Sequence, residues 1–135
     1  MMILALQFAG AVLLGLCLLH AAMPKRFSWA EELTRLSLLN RQIFWVHTFF
    51  IALMVGQMGV LFLFFPEMLL DRTPLARLVT IGLIVFWLAR AFTQFFVYSP
   101  SLWRGKRFET FVHFAFGAFW LYLVGVLTWV LTQIW

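Results

Sequence analysis

Four apolar runs, each about as long as a bilayer is thick and separated by three proline-bearing breaks, constrain this chain more than any other feature. A hydrocarbon core about 30 Å thick takes roughly 20 helical residues to cross. The runs at about 3–23, 42–65, 77–98 and 108–133 meet that length. Between them stand Pro24-Lys25-Arg26, Pro66-Glu67 and Ser99-Pro100-Ser101. Proline forfeits a helical hydrogen bond and pushes the preceding residue out of the helical region, so each break reads as a helix end. The expectation is an all-α integral membrane protein, a four-transmembrane-helix up-down bundle forming one domain over residues 1–135.

Composition removes the soluble alternative. Hydrophobic residues make up 64% of the 135 and charged ones 11%, against about 25% charged in a soluble domain. The net charge of +5 does not point to nucleic acid, because the basic residues lie in loops and at helix ends, as membrane insertion demands. Four spans put loops 24–41 and 99–107 on one side, with Lys25, Arg26, Arg35, Arg41, Arg104, Lys106 and Arg107. The other side holds Arg72 and Arg77 beside Glu67 and Asp71. That bias makes the first side cytoplasmic and both termini non-cytoplasmic in a bacterial-type inner membrane. The first run has no Lys or Arg before it and no small-x-small cleavage site, so it reads as a retained span. Cys17 stands alone and reads as a buried, inert thiol.

The first loop contains "FSWAEELTRLSLLNR", in which Ser28 and Glu31 have the spacing of a capping box. Trp29, Leu33, Leu36 and Asn40 follow at helical intervals, predicting a short amphipathic interfacial helix over about 29–39. A faint repeat relates "RQIFWVHTFF" (41–50) to "RFETFVHFAF" (107–116), with Gly-Val-Leu twelve residues beyond each His. The offset of 66 residues would make the chain two similar helical hairpins. It sets His47 and His113 each about 9 Å inside an interfacial Arg, at one depth.

Other polar residues converge on that layer: His20 in the first run, Arg90 and Gln94 four apart in the third, and Glu109 one turn before His113 in the fourth. An ionisable residue in a span costs on the order of 2.5–3.5 kcal/mol at its centre, so a polar layer shared by four helices marks a site or an internal network. Arg90 and Glu109 are the expected ion pair. The stripe Thr48, Ala52 and Gly56 reads as helix packing.

The first chemistry this layer supports is a b-type haem with His47 and His113 as axial ligands and Arg90, Gln94 and Glu109 around it, in an electron-transfer or quinone-linked anchor. A metal held by His20, His47 and His113, with Glu109 beside them, is the second. An anionic headgroup or small substrate cradled by Arg90, Arg41 and Arg107 is the third. The alternative from another class is an accessory or assembly protein whose polar layer only fixes helix register. No HExxH, histidine cluster, phosphate-binding glycine loop or nucleophile motif occurs, which argues against an enzyme in its own right. Expected partners are the lipid bilayer and either other membrane subunits or further copies of the chain.

Overall fold

A computed structural model describes all residues 1–135; 88% of them are helical and there is no strand. The long helices are α1 (Met2–Arg26), α3 (Leu38–Phe64), α5 (Pro74–Phe92) and α6 (Arg107–Ile134), with α2 (Trp29–Glu32) and α4 (Pro66–Leu70) short between them. With the turn that extends α5 to Val97, the four long segments are long and apolar enough to cross a membrane. The chain divides into two compact units, Ile3–Pro66 and Glu67–Trp135, each a pair of long antiparallel helices.

In the first hairpin α1 and α3 meet backbone to backbone. A Cβ on Gly10 would lie 2.5 Å from the Leu63 nitrogen and 2.8 Å from the Gly59 oxygen, and one on Gly59 would lie 3.0 Å from the Leu14 nitrogen. Only glycine permits that approach, and small residues continue the contact toward the loop. A Cβ on Gly56 would meet Cys17 Sγ at 2.9 Å, while Thr48 and Ala52 line a groove with Cys17 and His20. Of the expected packing stripe, Gly56 therefore lies in the α1–α3 contact, while Thr48 and Ala52 face the groove beside it.

Two local expectations for this hairpin are corrected. Pro24 does not end α1, which continues to Arg26. Near the end of a helix a missing N–H costs one bond, to the His20 carbonyl, and the last turn tolerates it. Nor does Ser28 cap a helix over 29–39. It adopts φ 52°, makes no side-chain cap bond, and precedes one α-turn and the 3₁₀ turn Leu33–Arg35. The working cap is Ser37, whose Oγ accepts from the Asn40 amide at 3.4 Å and starts α3 four residues earlier than expected. Trp29 still anchors the loop, edge-on to Phe44 at 4.8 Å and Trp45 at 5.7 Å.

The second hairpin is built on matched stripes. Ala76, Thr80, Leu83, Trp87, Ala91 and Gln94 recur at helical spacing on α5 and its extension. His113, Gly117, Trp120, Leu123, Leu127, Val130 and Ile134 do so on α6. At its start Thr73 Oγ1 accepts from the Ala76 amide at 3.1 Å and Pro74 takes the first helical turn, three residues before the expected boundary. At the same end Arg77 donates to the Ile134 carbonyl at 2.8 Å and lies over the Trp135 ring, so a cation caps the last turn of α6. At the other end α5 passes into a π-helical turn, Thr93–Val97, closed by the Tyr98 amide on the Thr93 carbonyl. The chain returns through a 3₁₀ turn at Pro100–Leu102 and Gly105 at φ 82°, a conformation only glycine takes without strain.

Candidate functional site

Gln94 is the hub of the second hairpin. It is 5% exposed, on the α6-facing side at the start of the π turn. Its Oε1 accepts from Arg90 Nη1 at 3.2 Å and, over a longer 3.4 Å, from Trp120 Nε1. Its Nε2 donates to His113 Nδ1 at 3.0 Å and to the His113 carbonyl at 3.2 Å. Arg and Trp only donate and a carbonyl only accepts, so the amide can face one way. It follows that His113 Nδ1 accepts and its proton sits on Nε2. All four hydrogen-bonding positions of this amide are filled.

Aromatic rings wall the hub. Trp103 stacks on the His113 imidazole, 4.5 Å between centroids and 14° from parallel, with Phe95 and Phe114 edge-on. Phe95 also rests on Gly117, where a Cβ would lie 2.5 Å from its Cζ. Arg90 lies over the Trp120 ring at 4.9 Å and 5.6 Å from that of Tyr98. Trp120 stacks in turn on Trp87 at 5.1 Å. Thr110 Oγ1 donates to the Trp103 carbonyl at 2.6 Å and ties the returning loop to α6.

Of the residues singled out from the sequence, Arg90, Gln94 and His113 come together here. Glu109 does not join them: it lies half-buried in the first turn of α6, where the helix dipole favours a carboxylate, and makes no ion pair. The expected Arg90–Glu109 pair is thus absent, because Arg90 finds Gln94 one turn along its own helix. His20 lies in the first hairpin, its Nδ1–H donating to the Leu16 carbonyl at 2.7 Å beside the Cys17–Thr48 groove. His47 is exposed on α3, not turned inward as expected. Within neither hairpin do three His, Cys, Asp or Glu side chains gather as a metal would require. The residues marked by the 66-residue repeat also differ: His113 is buried and His47 is not, while Gly59 touches α1 and Gly125 meets nothing within 4 Å.

The hub lacks acceptors. Trp87 Nε1 and Trp103 Nε1 are buried without a partner, as is Thr80 Oγ1. Arg90 uses one of its five N–H groups on Gln94. Trp103 and Trp87 were the site residues hidden in the sequence. Trp103 reads as an interface anchor in a polar loop, and only the fold of that loop lays it on His113. Histidine-selective NMR gives a direct check of the hydrogen-bond pattern: His113 is expected as the Nε2–H tautomer and His20 as the Nδ1–H tautomer. An Nδ1–H tautomer at His113 would overturn the assignment of the Gln94 amide.

The chain is thus an all-helical protein with four membrane-capable helices and a donor-rich polar cluster in its second hairpin. No protein-family model, curated protein or solved structure matches it.

Proposed function

We propose that this chain is a small integral membrane subunit, not an enzyme on its own, that holds an acceptor-rich small molecule at the Arg90–Gln94–His113 layer. One observation carries the reading: indole and guanidinium N–H groups surround an amide already filled, with no carboxylate among them. Buried donors without acceptors each cost about 1–3 kcal/mol, which an acceptor from outside the chain would relieve. The membrane setting is supported by the outward faces of the long helices, where Phe49, Phe86, Phe96, Phe111 and many aliphatic residues are exposed. The cation bias of loops 24–41 and 99–107 supports a cytoplasmic position for that side.

A b-type haem is the second reading, favoured by an imidazole buried among aromatic rings beside a cation suited to propionates. Ligation by Nε2 needs its lone pair, whereas Gln94 places the proton there. The amide would have to turn over, setting its N–H groups against Arg90 and Trp120. A purely structural layer in an accessory protein is the reading both must beat.

Purification in a mild neutral detergent, followed by native mass spectrometry and an oxidised-minus-dithionite-reduced spectrum, separates the three. The expected result is a bound non-protein mass, lost in Arg90→Gln, without a Soret band. A Soret band abolished by His113→Ala establishes haem instead. A bare polypeptide mass in every preparation leaves the structural layer.

A further inference from the structure

We propose that the acceptor at this layer is the phosphate oxyanion of an anionic phospholipid, gripped by Arg90. This rests on the ligand-holding role argued above and names its chemistry.

Arg90 is a cation inside an apolar helix with two aromatic rings and one amide oxygen about it, and no anion. Rings orient a guanidinium and lower the cost of its burial, but leave its fork of donors open. Phosphate is the group that fork matches, with paired N–H···O bonds. The position of the charge favours a headgroup over a midplane ligand. The Arg90 backbone lies eight residues before Tyr98, about 12 Å along the helix. Yet the guanidinium carbon is 5.6 Å from the Tyr98 ring centroid, so the side chain carries its charge toward the loop end.

The loop at that end adds to the field. Arg104, Lys106 and Arg107 are exposed and unpaired, and Glu109 is the acid nearest them in sequence. Trp103, between this basic run and the hub, brings a buried N–H without an acceptor. The opposite end of the same hairpin is unlike it. There Arg77 is taken up by the Ile134 and Trp135 carbonyls, and Glu67 and Asp71 accompany Arg72. Basic residues gathered at one end of a pair of membrane helices suit anionic headgroups.

The test uses the full chain in neutral detergent, titrated separately with short-chain phosphatidylglycerol, the phosphate-free diacylglycerol of the same chain length, and inorganic phosphate. Binding is read by tryptophan fluorescence and native mass spectrometry. Phosphatidylglycerol is expected to bind at least about tenfold more tightly than diacylglycerol, which has no phosphate for the charge-assisted fork to grip. Arg90→Gln should erase that preference. Gln94→Glu, which sets a carboxylate on Arg90 from within, should erase it too while keeping the helical circular dichroism. Arg104→Gln with Lys106→Gln should weaken binding and leave the preference. Inorganic phosphate that displaces phosphatidylglycerol at matched concentration identifies a free-oxyanion site; failure to displace it identifies the lipid.

Equal binding of the two lipids by wild type, or a preference that survives Arg90→Gln in folded protein, overturns the proposal. If a different co-purifying mass is then present, only the lipid assignment fails. If no mass is present and nothing binds, the ligand-holding role fails with it.

Discussion

Gly10→Val is expected to break up the first hairpin, whereas Gly15→Val, five residues along the same helix, is expected to be nearly silent. A side chain at residue 10 meets backbone on α3, the Leu63 nitrogen at 2.5 Å and the Gly59 oxygen at 2.8 Å. Neither can swing aside as a flexible side chain would, so the two helices must separate along their length. Overpacking a core costs about 1–3 kcal/mol when side chains can give, and more when they cannot. At residue 15 a Cβ meets nothing within 4 Å. There the exchange replaces glycine by a bulkier residue in an open stretch of helix, and glycine is itself the poorer helix former. Thermal unfolding followed by circular dichroism, with size-exclusion profiles in detergent, compares the pair. Equal losses for both would mean that the Gly10–Gly59 approach does not hold α1 to α3.

Gln94→Leu is expected to be the most damaging single change in the second hairpin, at about 3 kcal/mol or more. It removes the acceptor for Arg90 and Trp120 and the donor for His113 Nδ1 together. A leucine of similar size fills the space and satisfies none of them. The neighbouring Thr93 is half-buried and donates only to its own helix's Ala89 carbonyl, so Thr93→Val, which keeps the shape and loses one local bond, should cost about 1 kcal/mol or less. Histidine NMR supplies a second reading, because His113 in the Gln94→Leu variant loses the bond that selects its tautomer. Unfolding midpoints that coincide for Gln94→Leu and Thr93→Val would show that the amide is not a hub.

The spans were legible because twenty residues of hydropathy average out local irregularity, and the ends shifted by only a few residues. Pro24 and Ser28 were not. A proline is disruptive in mid-helix and tolerable in a last turn, and a capping box requires a backbone angle that Ser28 does not adopt. Part of the polar layer was legible too. Depth along a helix follows from counting, and in an antiparallel pair Gln94 and His113 face each other. Which partner Arg90 chooses was not a matter of depth. Opposite charge pointed to Glu109 on another helix, but a partner four residues away on the same helix is found without any register between helices. Trp103 depends on how eight irregular residues, 99–106, turn back on themselves, and no periodic pattern reports that.

The π turn at Thr93–Val97 amounts to one residue more than an α-helix would use to reach the same place. It works as a phase shifter: the chain leaves α5 rotated from the bearing that uninterrupted winding would have given it. A lineage that dropped that residue would gain a more regular helix and send the loop off on a different heading, with Tyr98 and Trp103 no longer aimed at Arg90 and His113. The spare residue in the winding, invisible to any count of apolar positions, sets where the two halves of the aromatic enclosure meet.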